Sequence, residues 1–222
     1  MWKGKRHFDV LWSVLGLALT WPLLILIAVL VKAQDGGPVF LRQTRVGYRG
    51  RPFRIWKFRT MTPDADPSNG ALTVGDDPRV TRVGAWLRRF KLDELPQLFN
   101  VLRGEMSLVG PRPELPVYVA MYTAEQRQVL DLMPGITSVA SLRYRRESEM
   151  LGRARDPERT YIDTIMPDKI RLALAYGARP TVWTDVGVVA RTVHHLLRPS
   201  SPLSLDRDGI PPHATEQTKG WL

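Results

Sequence analysis

The sequence contains no cysteine and only four histidines. Without cysteine, the chain cannot form disulfides or cysteine-based metal sites. The histidines are His7, His194, His195 and His213, and none has the spacing of a zinc site with suitable partners. Internal repeats, a P-loop and a Rossmann fingerprint are also missing from the sequence. These absences remove the usual sequence signals of disulfide scaffolds, zinc enzymes and P-loop nucleotide hydrolases.

Acidic residues are missing from two stretches of the chain. Residues 42–60 contain seven basic and no acidic side chains, and residues 78–92 contain five basic and no acidic side chains. The whole chain of 222 residues has a net charge of +10 and a pI of about 10.3. This balance indicates an anionic partner, which is nucleic acid, an anionic lipid or a phosphorylated substrate.

A long uncharged segment lies near the N-terminus. Residues 10–31 carry no charge, and as a helix these 22 residues would be ~33 Å long, enough to cross a bilayer core. A secretory signal is disfavoured because its apolar region is only about 7–15 residues long. Pro22 lies near the middle, and basic residues flank both ends. The residues alone leave a spanning helix and a re-entrant helix, broken at Pro22 with both ends in the cytoplasm, both open.

Two further elements follow from local patterns. Residues 38–61 predict a β-hairpin whose turn contains Gly47 and Gly50. Residues 181–197 predict an amphipathic helix that packs on the core or lies on the membrane surface, and we expect core packing. Its apolar side carries Val182, Val186, Val189, Val193 and Leu196.

Two adjacent carboxylates, Asp93 and Glu94, directly follow the second basic stretch. They stand at the start of a short helix with one apolar face, which Gly104 is placed to end. One interpretation is structural: Asp93 is the helix N-cap, and Glu94 suits the helix dipole. The basic surroundings favour a second interpretation, in which the pair stays ionised and attacks a phosphate or holds a divalent cation.

The sequence around this pair resembles the signature of the bacterial sugar transferases, the monotopic phosphoglycosyl transferases of polysaccharide and glycoconjugate assembly. The matching segments are LDELPQLFNVL at residues 92–102 and MSLVGPRPE at residues 106–114. Weaker or shorter blocks that resemble the family lie at residues 37–61, 76–88 and 134–145. The resemblance covers roughly residues 8–197, and the chain is similar to the minimal catalytic form of the family.

The resemblance implies a fold that is α+β and mostly helical. It has an N-terminal re-entrant membrane helix broken at Pro22, a small β-hairpin and surrounding amphipathic helices. We expect a membrane-associated segment at residues 1–35, a catalytic domain at residues 36–198 and a disordered tail at residues 199–222, which is rich in proline, serine and charge. The expected location is the bacterial cytoplasmic (inner) membrane, with the catalytic domain on the cytoplasmic face.

The resemblance also implies a reaction. A phospho-sugar moves from a UDP-sugar to polyprenyl (undecaprenyl) phosphate through a covalent aspartyl phospho-sugar intermediate. The products are UMP and polyprenyl diphosphate-sugar, which initiates bacterial glycan assembly such as exopolysaccharide or lipopolysaccharide biosynthesis. The expected partners are the two substrates and membrane lipid, without nucleic acid, and homo-oligomerisation is left open.

Residue roles follow from the same resemblance. Asp93 is the expected nucleophile, and Glu94 is the expected ligand of Mg²⁺ or Mn²⁺. Contacts to substrate phosphate are expected from five basic residues: Lys57, Arg59, Arg88, Arg112 and Arg145. Arg112 stands between two prolines in a rigid turn, and its planar guanidinium suits a diphosphate.

The chain departs from the family pattern at a few positions. Trp21 stands where the family has serine before the proline of the membrane helix. Ser138 and Ser141 stand where the family usually has glycine and glutamine, and Ala173 replaces an acid that often precedes the tyrosine matching Tyr176.

Two other functional classes compete with the transferase interpretation. The first is a membrane-tethered basic module that binds anionic lipid or nucleic acid without catalysis. It accounts for the charge and the apolar segment but not for two acids beside the basic run. The second is a nucleotide-sugar hydrolase that uses water as the final acceptor.

Overall fold

The computed structural model describes residues 2–62, 72, 74, 75 and 77–197. Its helices and strands confirm the α+β, mostly helical class. The predicted tail at residues 199–222 lies outside the described residues. The helices are α1 (Lys5–Asp35), α2 (Arg82–Arg89), α3 (Gln97–Arg103), α4 (Pro116–Ala120), α5 (Val139–Arg143), α6 (Glu147–Arg153), α7 (Pro157–Thr160), α8 (Met166–Ala178) and α9 (Val182–Leu197). The strands are β1 (Phe40–Val46), β2 (Pro52–Phe58), β3 (Ser107–Val109) and β4 (Gly135–Thr137).

Helix α1 continues through Pro22, so the secondary structure does not end at this residue, and the re-entrant course of the helix stays a prediction. The fixed φ of proline fits a helix, and its missing N–H removes one backbone hydrogen bond without ending the helix when the flanking turns remain bonded. Two residues earlier, the Thr20 hydroxyl donates to the carbonyl of Gly16 at 2.6 Å. A hydroxyl therefore bonds the helix backbone beside the proline although Trp21 replaces the family's serine.

Helix α1 has two different faces. Ile27 and Val31 are buried against Phe58 of β2 and Leu87 of α2. The opposite face is apolar and exposed, and its most apolar 18-residue window has a mean hydropathy of 2.7 with only 11% of it buried. The helix is therefore long and apolar enough to cross a membrane, yet one side of it packs on the body of the protein. Its exposed residues include Leu11, Trp12, Leu15, Leu19, Trp21, Ile25, Leu26 and Val29.

The predicted hairpin is confirmed. Strands β1 and β2 pair antiparallel from Phe40↔Phe58 to Val46↔Pro52. A short 3₁₀ turn, Tyr48–Gly50, joins them. Asn100 of α3 is fully buried and holds the hairpin: its Oδ1 accepts from the Trp56 N–H at 3.0 Å, and its Nδ2 donates to the Arg54 carbonyl at 2.9 Å. The hairpin and α3 thus form one unit.

A second pair of strands was not predicted. Strands β3 and β4 pair in parallel, with Ser107 opposite Gly135 and Val109 opposite Thr137. They bring the segment that carries Arg112 next to the segment that carries Arg145. The backbones approach so closely that a Cβ on Gly110 would lie 2.1 Å from the Met133 carbonyl oxygen. Glycine is therefore required at this crossing.

The C-terminal helices form the main core. Helices α4 to α8 bury a cluster that includes Tyr118, Leu151 and Tyr161. Helix α9 forms where predicted and packs on the core, as expected, but Val186 and Val193 of the predicted face are exposed, and the rest of that face is only half-buried. The buried face instead carries Val188 and the polar residues Asp185 and Thr192. Asp185 accepts hydrogen bonds from Trp2, Lys5 and Tyr176, and Thr192 bonds Thr137.

Candidate active site

All seven predicted catalytic and phosphate-binding residues line one cleft. The cleft encloses about 1970 Å³ between the hairpin, α2, the acidic turn that precedes α3, the Pro111–Pro113 turn and the helices α5, α6 and α8. The seven side chains are Lys57, Arg59, Arg88, Asp93, Glu94, Arg112 and Arg145. They do not all point to one place, and their contacts separate them into groups.

The acidic pair lies in a short 3₁₀ turn, Leu92–Glu94. Helix α3 begins three residues later with Pro96 at its N-cap position, so the interpretation of Asp93 as a helix N-cap is wrong. Gly104 ends α3 in the left-handed conformation at φ 80°, as predicted. Since Asp93 and Glu94 are both buried and neither caps this helix, their burial requires another explanation.

Glu94 is held by two cations. Arg112 donates from Nη1 to Oε2 at 3.0 Å and from Nη2 to Oε1 at 2.6 Å, and Lys57 Nζ donates to Oε1 at 2.9 Å. Burial acts to raise the pKa of Glu94, but the charges of Arg112 and Lys57 outweigh it and hold this pKa well below its ordinary value. Glu94 is therefore ionised and paired.

Asp93 has the opposite environment. Its Oδ1 is buried and has no hydrogen-bond partner among the described residues. Burial raises the pKa of the Asp93 carboxyl above its ordinary value, against the opposing charge of Lys57. We predicted that the basic residues keep both carboxylates ionised. This agrees with the lowered pKa of Glu94, whereas for Asp93 the effect of desolvation on the pKa exceeds that of the neighbouring cations.

Lys57 reaches the pair from strand β2. Burial lowers the pKa of Lys57 to about 8, although Glu94 acts to raise it. The desolvated ammonium group therefore changes charge close to neutral pH. The charge of Lys57 acts on both carboxylates.

Arg112 and Arg88 both interact with the acidic pair. The Arg112 side chain is 35% exposed, so its guanidinium faces the cleft while it binds Glu94. Two of the five guanidinium N–H groups bond Glu94, and the others are available to a ligand. Arg88 donates from Nε to the Thr60 hydroxyl at 2.8 Å. Burial lowers the pKa of Arg88, while the nearby carboxylate of Asp93 opposes this shift.

Arg59 and Arg145 line the cleft but have other partners. Arg59 binds both oxygens of Asp35 at the end of α1 and donates to the carbonyl of Pro38 at 2.5 Å. Arg145 donates from Nη1 to the His195 carbonyl at 3.0 Å. Their contact with substrate phosphate stays a prediction, and for Arg59 it would require release of Asp35.

The residues present fit a divalent cation only together with a substrate. No group of three His, Cys, Asp or Glu side chains that could hold a metal occurs in the part of the chain that the structure describes. After Arg112 and Lys57 have bonded Glu94, one lone-pair position remains on its Oε2. Mg²⁺ is ordinarily held by one or two carboxylates plus substrate phosphates. Glu94 Oε2 and a diphosphate supply such a set.

Some residues beside the cleft were missed by sequence reasoning. Glu114 accepts from Arg45 and from Tyr161, and Glu147 forms an ion pair with Lys169. Only Glu114 carried a signal, since it closes the matched segment at residues 106–114. Arg45 is 69 positions away from Glu114, so no local spacing could pair them.

Comparison with known proteins matches residues 1–199 to the family described as bacterial sugar transferase. A UDP-glucose:undecaprenyl-phosphate glucose-1-phosphate transferase of Caulobacter vibrioides is 40% identical over 196 residues, which cover 87% of this chain and 69% of that protein. An undecaprenyl-phosphate glucose phosphotransferase of Komagataeibacter xylinus is 40% identical over 200 residues. This match covers 85% of the chain but only 35% of the longer relative.

A third similar protein is a UDP-N-acetylgalactosamine-undecaprenyl-phosphate N-acetylgalactosaminephosphotransferase of Aeromonas hydrophila. It is 37% identical over 198 residues, which cover 87% of this chain and 43% of that protein. The chain thus spans less than half the length of the Komagataeibacter and Aeromonas relatives.

Proposed function

This chain belongs to the bacterial sugar transferase family, and from that premise we propose that it is a phosphoglycosyl transferase. It moves a phospho-sugar from a UDP-sugar to undecaprenyl phosphate, and it releases UMP. The names of the relatives supply both substrates, because they describe transfer of glucose or N-acetylgalactosamine phosphate to undecaprenyl phosphate. The proposal for this chain rests on the same substrate classes.

The observation that carries the proposal is the buried Asp93 Oδ1, which has no partner within the described residues and lies in the cleft beside the paired Glu94. A poorly solvated carboxylate oxygen is available as a nucleophile. In the first step, an oxygen of Asp93 attacks the sugar-bearing phosphorus. The bond between this phosphorus and the bridging oxygen breaks, and the electron pair leaves with UMP.

In the second step, an oxygen of undecaprenyl phosphate attacks the same phosphorus. The bond between Asp93 and the phosphorus breaks, so the carboxylate is regenerated and undecaprenyl diphosphate-sugar is formed. Dividing the transfer in two lets both substrates use one site in turn. This order explains why one carboxylate is left unpaired while its neighbour is bonded.

The basic residues stabilise the phosphates in both steps. Arg112 has free N–H donors facing the cleft, and its planar fork matches two phosphate oxygens. Arg88 also lines the cleft and lies near enough to Asp93 for their charges to interact. Preorganised donors of this kind act on charge that develops in the transition state, in a site partly shielded from water.

Mg²⁺ is the expected metal, and Mn²⁺ is the alternative. Glu94 would hold it together with the substrate diphosphate. When bound, it would neutralise phosphate charge. Since the residues that the structure describes offer an incomplete ligand set by themselves, we expect Mg²⁺ to raise the melting temperature only when UDP or a UDP-sugar is present. A rise with Mg²⁺ alone would contradict this arrangement.

The contacts of α1 support a membrane-associated enzyme whose helix ends both face the cytoplasm. Near the N-terminal end, Lys5 binds Asp185 of α9 at 2.6 Å. At the C-terminal end, Asp35 binds Arg59 after β2. A helix that crossed the bilayer would carry its ends to opposite sides, whereas these two ends contact one body. The exposed apolar face between them is available to lipid.

The test is product analysis with the purified full chain in detergent or nanodiscs. The protein receives Mg²⁺, undecaprenyl phosphate and each of a panel of UDP-sugars, and UMP and lipid-linked sugar are measured. We expect UMP and lipid product in equal amounts for at least one sugar. Without the lipid, formation of the covalent intermediate releases at most one UMP per enzyme molecule. Continued UMP release without the lipid would indicate a hydrolase instead. With the lipid omitted, the mass of the intact protein should increase by one phospho-sugar, and peptide mapping should place it on the peptide that contains Asp93.

A further inference from the structure

The turn that carries Arg112 is fixed from behind by residues outside the predicted site. Arg112 stands between Pro111 and Pro113, and Glu114 follows directly. The backbone carbonyl of Glu114 accepts from the Val46 N–H at 2.9 Å, which joins the turn to the end of β1. The position of Arg112 therefore depends on how Glu114 is held.

The Glu114 side chain bonds three different elements. Its Oε1 accepts from its neighbour's backbone, the Leu115 N–H, at 2.7 Å and from Arg45 Nη1 of β1 at 3.4 Å. Its Oε2 accepts from the Tyr161 hydroxyl. Arg45 Nη1 also lies 3.4 Å from the Pro113 carbonyl, while its Nη2 donates to Gln43 at 2.8 Å. One arginine thus connects β1 to the backbone on the far side of Arg112.

Tyr161 comes from a distant part of the core. It begins a five-residue π-helical turn, Tyr161–Ile165, between α7 and α8. Its ring packs against Tyr118 with 5.0 Å between centroids, and Lys169 Nζ lies 4.9 Å from the ring centroid. Single π turns inside helices often occur at functional sites. Here the turn delivers a buried hydroxyl to Glu114.

The hydroxyl keeps its proton at working pH. Burial and the charge of Glu114 raise the pKa of Tyr161 far above its ordinary value. Tyr161 therefore stays a hydrogen-bond donor to Glu114, which also accepts from Arg45 and from the Leu115 N–H. Neither group touches Asp93 in the contacts that the structure shows, so any effect on catalysis has to pass through the turn.

We propose that Arg45, Glu114 and Tyr161 are positioning residues that set where Arg112 lies relative to Glu94 and the sugar-bearing phosphate. This inference rests on the proposed function, since it concerns the step in which Arg112 binds phosphate. Arg112 makes two bonds to Glu94 and offers its remaining donors to the cleft. A displacement of about 1 Å at such a group can cost roughly 10²-fold in rate.

Two variants test the role, and a third is their control. Tyr161→Phe removes only the hydroxyl, and Arg45→Lys keeps the charge but cannot reach Pro113, Glu114 and Gln43 together. We expect each to lower kcat for UMP release by roughly 10- to 100-fold, with little change in KM. Tyr118→Phe removes a hydroxyl from the same ring pair without altering a bond to Glu114, and it should keep nearly full activity.

The decisive measurement repeats these changes in an Arg112→Ala background. If the three residues act through Arg112, Tyr161→Phe and Arg45→Lys should cause little further loss there. If Tyr161→Phe and Arg45→Lys lower kcat by the same factor in the Arg112→Ala background as in the unmodified protein, they do not act through Arg112. Arg45 would then contact the substrate itself, and the positioning role would be wrong. If Tyr118→Phe lowers kcat as far as Tyr161→Phe does, the effect comes from core packing and not from the bond to Glu114, and the positioning role would be wrong. Failure of the unmodified protein to release UMP would instead overturn the proposed function.

Discussion

Arg112 binds both oxygens of Glu94, with Nη1–Oε2 and Nη2–Oε1 distances of 3.0 and 2.6 Å. Asp93, the preceding residue, keeps Oδ1 without a partner in the described residues. Two neighbouring carboxylates therefore have pKa values shifted in opposite directions. Such a separation is typical of paired acids that take different roles in catalysis. It favours Asp93 as the reacting group and Glu94 as the group that holds cations.

Asp93→Asn should abolish turnover. An amide oxygen cannot form the proposed covalent intermediate, so we expect UMP release to fall by at least about 10³-fold. Asp156→Asn is a matched control, because Asp156 is exposed and caps α7 by accepting from the Arg159 N–H, which asparagine does as well. Near-normal turnover by folded Asp93→Asn protein would rule out the nucleophile.

The same variant should be more stable than the unmodified protein at neutral pH. Because the folded pKa of Asp93 is raised, the stability that its neutral form contributes is present below the unfolded pKa and is lost as pH rises through the folded pKa. Asparagine is neutral throughout. Melting temperatures measured from pH 4 to 8 should therefore diverge in favour of Asp93→Asn as pH rises. Parallel curves would show that Asp93 is not buried as an unpaired acid.

The sequence was sufficient for elements with local signals. Gly47, Gly50 and the flanking strands predicted the hairpin, and Gly104 predicted the end of α3. The strands β3 and β4 escaped prediction because three residues are too few for a recognisable pattern. The buried face of α9 was missed because Asp185 and Thr192 are polar, and their hydrogen-bond partners lie up to 183 residues away.

The sequence predicted which residues line the candidate site, but not which of them bond to each other. The matched segments identified the residues of the cleft, because the family signature is carried by the residues themselves. Which cation binds which acid depends on the tertiary fold: Lys57 and Arg59 are two residues apart, yet one binds Glu94 and the other Asp35. Residues two apart on a strand point to the same face, but β2 ends at Phe58, so Arg59 lies beyond the strand and contacts Pro38 and Asp35 at the end of α1.

Lys57 should set the alkaline limit of activity. Since its pKa is lowered to about 8, it loses the charge that holds Glu94 near this pH. We expect kcat/KM for UMP release to fall as pH rises through about 8. Lys57→Arg should move this limb to higher pH, because a guanidinium stays charged. An unchanged alkaline limb in Lys57→Arg would assign it to another group.

Stability should change in the opposite direction over the same range. A lysine whose folded pKa lies below its ordinary value binds its proton more tightly in the unfolded chain. Between pH 8 and 10.5, the unfolded chain therefore carries the extra proton, and this group makes stability increase with pH. We expect the melting temperature to rise between pH 8 and 10.5, or to fall less than in Lys57→Arg, while activity declines. This result would show that activity is lost through titration of Lys57 and not through alkaline unfolding.

The contacts at the two ends of α1 should control its topology more than Pro22 does. The chain has no cysteine, so Lys3→Cys provides a single site for an impermeant thiol label on intact bacterial cells. We expect no labelling from outside. Asp185→Asn removes the charge that pairs with Lys5 and should increase outside labelling, whereas Pro22→Ala should change little because α1 is already continuous.

Asp163→Asn is the control for this experiment, since Asp163 is exposed and, within the described residues, pairs with Arg159 in the preceding turn, far from α1 in the sequence. It should leave labelling at background. Strong labelling of Lys3→Cys without any second change would show a spanning helix, and the proposed cytoplasmic position of both ends would be abandoned.

Arg112 and Arg59 should respond differently to substitution, although both line the cleft. Arg112→Ala should lower kcat and kcat/KM together by about 10²–10³-fold, as expected for a donor that acts in the transition state. Arg112→Lys should not restore activity, because an ammonium cannot make the two-oxygen contact.

Arg59→Ala should instead lower the melting temperature, since Arg59 links the hairpin to the end of α1 through Asp35. Raising the salt concentration should leave the Arg112 effect in place, because partly buried charges are screened much less than exposed ones. If activity per folded molecule falls as far in Arg59→Ala as in Arg112→Ala, Arg59 leaves Asp35 to bind substrate phosphate during the reaction, and the ion pair with α1 is only its resting state.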